Sequence, residues 1–571
     1  MMASESKSKP VRLVIVGGVA GGASAATRAR RMNEDAEIIL FEKDEHVSFA
    51  NCGLPYHIGG EIENRDALVV ASAEFLRRRF RLDVRTREEV VSMNREKKTV
   101  TVRRHAIEGG SAEATYEQPY DKLILAPGAS PIVPDLPIAP GLPSVDAANV
   151  QTLRNLADMD RIKALVDSTK VKRAVVVGAG YIGLEMVEQL RRRDVEVALV
   201  ELQNQVLPLL DPEMAKPIES SLRENHVELH LGVGLESIQC EGTNATAVRL
   251  SDQSECAADL VILGIGVRPN TQLAVESGLA IGGTGGVHVD QFSRTSDPDV
   301  YAVGDVSEPI FGPTQSPMRV ALAGPANRAG RLAGEHAVTG KSQPTVPVWG
   351  TSVVRVFDVS VAMTGLTRAS AKRCGVEATS VTVVAKHHAG YFPGAEMMTL
   401  KLVFDPGDGK ILGAQCVGGS GIDKRIDVIA TAMHFGGSVR DLTGLDLAYA
   451  PPFGSAKDPV HMAGFAATNL LDGVETFADS DADLEGLQIV DVRSKAEIEK
   501  APLRNADGVI HIPVDELRDR LDELDPTRPT VVSCAVGVRG HIASRILRQH
   551  GFDVQNLSGG ATVRNRCFDA S

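Results

Sequence analysis

The 571-residue chain predicts an α/β protein built in several parts, and three features of the sequence carry that expectation. First, an apolar strand, a glycine turn, a helix and a second apolar strand occur in VRLVIVGGVAGGASAATRARRM and AEIILFEK. The same order returns in AVVVGAGYIGLEMVEQLRRR and VEVALVE. Strand–helix–strand units with such short connections demand parallel sheets and right-handed crossovers. Second, from about residue 350 the pattern changes to short strands (TSVVRVFDVSVAMTG, MMTLKLVFD) followed by helical stretches at 422–435 and 462–471. Third, the acidic run ETFADSDADLEG precedes a fresh strand, LQIVDVRS.

In chain order these features give a first dinucleotide-binding unit at 10–150 and a second at 151–270. Residues 271–345, with TSDPDVYAVGDV, return to the first unit. An α+β domain follows at 346–472, then a linker at 473–485 and a separate α/β domain at 486–571. The length supports several domains, because single cores stop growing at about 250–300 residues.

Composition narrows the function. Sixty-one basic against 74 acidic residues leave a net charge of −13, which argues against nucleic acid as the main partner. Arginine clusters at 28, 30 and 31, at 77–79 and 81, and at 191–193 could still form a local anion site. Seven scattered cysteines form no disulfide framework and suit a reducing cytoplasm. MMASESKSKP has no apolar stretch behind it, and no run approaches the roughly 18 residues of a membrane span, so a cytoplasmic protein is expected. No metal site is expected.

GAGYIG places Gly178, Gly180 and Gly183 in a G-x-G-x-x-G turn between strand and helix. Such glycines let a pyrophosphate approach the positive helix N-terminus. Glu201, ending the next strand, is expected to accept the adenosine ribose hydroxyls. Leu202 and Gln203 follow it, with no arginine for a 2′-phosphate, so NADH is favoured over NADPH. In the first turn Gly17 and Gly22 fit the fingerprint while Val19 replaces its second glycine. Glu42 ends the following strand, and Gly17, Gly18, Ala20, Gly21 and Glu42 are the expected FAD contacts. Two such sites suggest a hydride passing from a nicotinamide to a flavin. VYAVGDV delivers Gly304 and Asp305 to a loop where the carboxylate could bind ribityl or ribose hydroxyls of the flavin nucleotide.

Cys52, in SFANCGLPYHIGG, lies shortly after Glu42. A thiolate there could attack a disulfide, and the mixed disulfide so formed could accept two electrons. The residue five positions on is His57, so there is no C-x-x-x-x-C pair. Its redox partner is external, or the thiol cycles through another single-cysteine oxidation state. In the last domain a strand over 531–533 ends at Cys534, with a helix expected near His541. Backbone N–H groups of such a loop form an anion nest that can hold a sulfane sulfur, and Arg539 adds positive charge.

SFANCGLPY, the paired nucleotide motifs, GVRPN, VYAVGDV and YAPPFGSAKDPVHMAGF together resemble the coenzyme A-disulfide reductases, over roughly residues 10–470. These are single-cysteine members of the pyridine nucleotide-disulfide oxidoreductases. The tail, over roughly 480–571, is similar to a rhodanese homology domain. The whole resembles fusions of the two, also described as NAD(P)H-dependent per- and polysulfide reductases. The first unit is then the FAD domain, the second the NAD(P)H domain and 346–472 a dimerisation domain. The resemblance implies that Cys52 alternates between thiolate and a mixed disulfide with coenzyme A. It also implies a homodimer in which Tyr449 and Tyr391 of one subunit face the other's Cys52. Coenzyme A needs cations for its phosphates: Arg28 and Arg31 share a helix face, and Ser48 and Asn51 occupy the family's ligand positions. The loop Cys534–Arg539 has sulfurtransferase length, but Ala535 and Val536 leave its rim apolar, which puts thiosulfate specificity in doubt. Cys567 has no case beyond packing or a resolving role.

The expected activity is NAD(P)H-dependent cleavage of coenzyme A persulfide, polysulfide or coenzyme A disulfide, with Cys534 relaying sulfane sulfur. Two alternatives stand beside it. One is an NADH oxidase or peroxidase cycling Cys52 through sulfenic acid; the other is a sulfur-carrier or redox-sensing module.

Overall fold

In the computed structural model the described residues are 9–105, 114–135 and 147–568. The first eight residues of the polar N-terminus and the end of the loop LILAPGASPIVPDLP (Leu136, Pro137) lie outside them. The chain divides into two compact units, one of residues 1–200 with 234–350, the other of 201–233 with 351–571.

In the first unit, strand Arg12–Val16 is buried from Leu13 onward and lies between Glu37–Glu42 and Lys122–Leu125, parallel to both. Val300–Ala302 and Asp83–Thr86 complete this five-stranded sheet. Burial on both faces explains why these strands read as continuous apolar runs. The returning helix Ala323–Thr339 packs on helix Ala20–Met32 through glycines. A Cβ on Gly330 or Gly334 would sit 2.2 Å from the carbonyl oxygen of Gly21 or Ala25.

The second glycine-turn unit repeats the plan. Strand Arg173–Val177 lies between Glu196–Glu201 and Leu260–Leu263, with Val150–Gln151 at the edge, all parallel. The repeat runs further than the sequence suggested. Each half also carries a three-stranded antiparallel sheet: Glu88–Asn94, Thr99–Arg104 and Ala114–Pro119 in one, Leu235–Glu241, Asn244–Leu250 and Glu255–Ala257 in the other.

In the second unit a five-stranded antiparallel sheet runs in the order Ser352–Val356, Val359–Gly365, Ile411–Gly418, Met397–Phe404, Thr379–Lys386. Helices Ile422–His434 and Pro459–Leu471 accompany it. The latter starts earlier than expected because Pro459 suits a first helical position and the Asp458 side chain accepts the Val460 N–H at 3.1 Å. Helix Pro212–Glu224 is tied to this sheet by Lys401, whose buried ammonium lies 2.9 Å from Asp211 and also pairs with Glu213.

The C-terminal sheet is wholly parallel, in the order Phe477–Ala478, Val554–Leu557, Thr530–Ser533, Gln488–Asp491, Ile510–His511. The expected linker at 473–485 is therefore corrected. Phe477–Ala478 is the edge strand of this sheet, and Ala478 and Leu484 belong to its apolar core. Acidic composition misled here because the stretch places its two apolar side chains inward and its aspartates outward. Buried Glu475 anchors the same stretch, accepting from Ser544 Oγ at 2.9 Å and meeting His541 Nδ1 at 2.7 Å. The cysteine-loop helix begins at Val538 rather than near His541, since Gly537 (φ 97°) makes the turn in a conformation that favours glycine.

That contact gives a pH prediction. The Glu475 carboxylate raises the His541 pKa above the ordinary histidine value, against burial and Arg545. Folding thus favours the protonated ring. Its contribution is complete below an unfolded pKa of about 6.5 and is lost as pH rises through the higher folded value. NMR titration should place the His541 midpoint above that of free histidine, and Glu475→Gln should bring it down. A wild-type midpoint at or below the free value would refute this. Among the described residues no helix is long and apolar enough to cross a membrane.

Candidate active site

The first glycine turn is built by close approach. Gly17 has φ 96°, and a Cβ there would lie 2.1 Å from the Ala126 carbonyl oxygen. A Cβ on Gly22 would lie 1.8 Å from the Gly17 carbonyl oxygen. Gly18 and Gly21 are small for packing reasons, facing Val47 and Val303. Buried Glu42 accepts the N–H groups of Gly18 at 2.8 Å and Asp44 at 3.0 Å, and burial raises its pKa. A cavity of about 820 Å³ opens here, lined by Gly17, Glu42, Lys43, Asn51 and Arg154 among others. That volume lies within the range of cofactor clefts, and its glycine floor, carboxylate and cations suit a flavin dinucleotide.

Cys52 lies in a 3-10 turn, Asn51–Gly53, just ahead of helix Leu54–Gly59. It is exposed, and all seven cysteines are free thiols. Protein packed around the sulfur raises its pKa, foremost by desolvation, then by the negative charges of Glu185 and Asp305; Arg154 opposes them. Gly304 (φ 78°) turns the chain so that Asp305 meets Arg154 at 3.2 Å. The Arg154 carbonyl also accepts from Asn51 Nδ2 at 3.4 Å. Sequence reasoning missed Arg154 and Glu185, because no local motif surrounds either and only the fold brings them to the thiol.

The second turn repeats the first. Gly178 (φ 101°) would clash with Gly264 through a Cβ at 2.5 Å, and Gly183 with Gly178 at 1.9 Å. Gly180 faces open space, leaving room for a phosphate at the start of helix Tyr181–Arg191. Glu201 ends its strand and accepts the Gln203 N–H at 2.9 Å.

The residues expected for coenzyme A have distinct surroundings. Arg28 pairs with Glu335, Nε to Oε2 at 2.8 Å, whereas Arg31 lies 5.0 Å over the Phe80 ring. Ser48 takes a left-handed conformation (φ 48°), held by its N–H to the Gly18 carbonyl at 2.9 Å and its carbonyl to Val70 N–H at 2.8 Å. A non-glycine residue rarely adopts that geometry without such support.

Tyr391 and Tyr449 are not core residues. Both are exposed, and their hydroxyls form a 3.0 Å hydrogen bond that raises the Tyr391 pKa. Arg425, buried and paired with Asp458 at 2.7 Å, also donates to the His387 carbonyl at 2.6 Å. The Ala389 N–H reaches the Gly454 carbonyl at 2.9 Å, so the two tyrosine loops are fastened together. Exposed Phe435 and Phe453 add to the apolar surface of this domain.

Cys534 is buried at the end of strand Thr530–Ser533, and its sulfur accepts the Gly537 N–H at 3.1 Å. Its carbonyl accepts from Ala561 at 2.8 Å. Arg539 is engaged by Glu497 through both terminal nitrogens, at 2.8 and 2.6 Å. Cys567 lies 3.7 Å from Ser480 Oγ, and burial raises its pKa.

Two glycine turns of dinucleotide type in one chain, with an exposed thiol at Cys52, suit a flavoprotein that carries electrons from a nicotinamide to sulfur, and the fold is of that class. Residues 11–327 match the family described as pyridine nucleotide-disulphide oxidoreductase, residues 351–459 its dimerisation domain and residues 476–563 the rhodanese-like domain. The chain belongs to the pyridine nucleotide-disulphide oxidoreductases, as a flavoprotein of the coenzyme A disulfide reductase kind that also bears a rhodanese domain. It is 34% identical to the coenzyme A disulfide reductase of Staphylococcus epidermidis over 456 residues, 80% of this chain and 99% of that one. Among solved structures, reduced Bacillus anthracis CoADR-RHD aligns with TM-score 0.91 and 43% identity over 98% of both chains. The NAD-dependent persulfide reductase from A. fulgidus aligns with TM-score 0.89 and 35% identity, over 97% of this chain and 99% of that one. Family membership implies FAD and NAD(P)H as cofactors.

Proposed function

We propose that the protein cleaves sulfur–sulfur bonds of coenzyme A persulfide, polysulfide or coenzyme A disulfide at Cys52, using NADH in preference to NADPH. The observation that carries this reading is the exposed Cys52, a free thiol near Asp305 and Arg154 in a chain with no disulfide. The residues that would hold FAD are Gly17, Glu42 and Asp305, and the flavin, when bound, supplies the two-electron path between nucleotide and thiol. Cys52 as thiolate attacks one sulfur of R–S–S–R′. A Cys52–S–S–R bond forms, the substrate S–S bond breaks, and R′–S⁻ leaves with the bonding pair. Reduction of the mixed disulfide by two electrons and protonation returns Cys52 and R–SH. Arg154 offsets the acidic neighbours of the thiol and so favours the attacking form.

Glu201, followed by Leu202 and Gln203, supports the NADH preference. The arm of the substrate would run past Ser48 and Asn51 towards Arg28 and Arg31. Cys534, with the Gly537 N–H on its sulfur, would carry sulfane sulfur to Cys52. Under anaerobic conditions the purified protein should oxidise NADH with stoichiometric sulfide release from polysulfide. NADH oxidation that needs oxygen and ignores sulfur substrates would establish the oxidase reading instead.

The exposed tyrosine pair on the dimerisation domain supports a homodimer whose sites are completed in trans. A phenol can donate to the departing thiolate, and loss of such an acid costs roughly 10²-fold in rate. Tyr449→Phe should show that loss with flavin content unchanged. Co-expressed Cys52→Ser and Tyr449→Phe chains should regain activity in mixed dimers; no recovery would refute the trans arrangement.

A further inference from the structure

We infer that Glu497 sets the donor specificity of the Cys534 loop, excluding oxyanion donors such as thiosulfate and leaving the site to persulfides with an uncharged arm. The inference rests on the reading of Cys534 as a sulfane-sulfur carrier and names the substrate class of that site. The loop Cys534–Arg539 contains a single charged side chain, Arg539. Glu497 claims both its terminal nitrogens in a two-pronged pair. Such a pair offsets the guanidinium charge and takes two of its five N–H donors, which weakens its pull on a ligand.

Glu497 is not free to give way. It is the third residue of helix Lys495–Lys500, and its carboxylate also accepts the Ser494 N–H at 3.0 Å and Ser494 Oγ at 2.9 Å in a capping box. Arg539 and the Ser494 donors hold its pKa down to about 2, so it stays anionic at any working pH. Arg493 and Asp491 of the same domain are buried and pair with each other at 2.6 Å. A dianion approaching Cys534 thus meets balanced side-chain charge and has only the backbone N–H groups of the loop to attract it. The rim is apolar: Ala535 and Val536 in the loop, then exposed Val538 and Ile542 one helical turn apart. This lining suits a thiol arm that is uncharged near its sulfur, as the pantetheine end of coenzyme A is. The Cys534 thiolate attacks the outer sulfur of R–S–SH; the S–S bond breaks, R–S⁻ leaves, and Cys534–S–SH forms with no net oxidation.

The test uses the full-length holoenzyme with cyanide as acceptor and two donors, thiosulfate and N-acetylcysteamine persulfide. Wild type should favour the persulfide, whose arm is uncharged, with the new sulfur found on Cys534 by mass spectrometry. Glu497→Gln keeps the capping-box acceptor but leaves Arg539 unneutralised, and should raise the thiosulfate-to-persulfide ratio of kcat/KM by about tenfold or more, the scale of one hydrogen bond to a charged group. Ala535→Arg, which leaves Glu497 untouched, should raise the ratio in the same direction. Equal use of both donors by wild type, or an unchanged ratio in Glu497→Gln, overturns the inference. Failure of both donors to place sulfur on Cys534 overturns the carrier reading itself, an outcome visible separately from the ratio.

Discussion

Cys52→Ser should leave a yellow protein that no longer couples NADH oxidation to sulfide release, with the rate reduced by at least about 10³-fold. A hydroxyl of similar size preserves the turn at 51–53, but it cannot form the sulfur–sulfur bond that the cleavage step requires. Retained flavin absorbance would separate this loss from a folding defect, because Cys52 does not line the glycine-turn cavity. The raised pKa of the thiol adds a second signature. Below that pKa the thiol is protonated, so alkylation should be slower than for free cysteine near neutral pH and quicken as pH rises. Polysulfide-dependent NADH oxidation surviving in the serine variant would sink the proposed role of Cys52.

Gly17→Ala should abolish flavin retention and with it all activity, giving a colourless protein. The added methyl would lie 2.1 Å from the Ala126 carbonyl oxygen, far inside any van der Waals contact, at φ 96°. The positive φ alone costs a non-glycine residue roughly 1–2 kcal/mol. The clash adds to it, since the Ala126 carbonyl belongs to backbone that cannot swing aside. Gly60→Ala is the matched control: Gly60 has φ 89°, yet its Cβ would meet nothing within 4 Å. The ratio of flavin to protein absorbance should fall in the first variant and hold in the second. A normal flavin content in Gly17→Ala would remove the close approach of turn and loop as the basis of the site.

Much of the molecule was legible in the sequence because its signals are local. The paired strand–turn–helix units, Glu42 and Glu201 at strand ends, and Cys52 directly before a glycine all follow from short windows. The expected linker was the main misreading. Charge density over 473–485 hid Phe477, Ala478 and Leu484, and two residues of strand carry too little pattern to register. The inserted antiparallel sheets were missed for the same reason, since their alternation is interrupted by register shifts at Val90–Ser92, Leu235–Ser237 and Gln239–Cys240. Arg28 and Arg31 share a helix face by spacing, yet one reaches Glu335 and the other Phe80; helical spacing fixes direction but not the neighbour met there.

The class of fold, both glycine turns and the positions of the two candidate cysteines could be read from the chain alone, because backbone conformation and apolar periodicity are encoded within a few residues. Tertiary structure alone decided what surrounds those cysteines. Arg154, Glu185 and Asp305 reach Cys52 from separate segments, Arg425 fastens the loops of Tyr391 and Tyr449, and Glu497 neutralises Arg539 across 42 positions. Charge acts through space with a strength set by distance and burial, so its effect on a thiol is fixed only when the chain has folded.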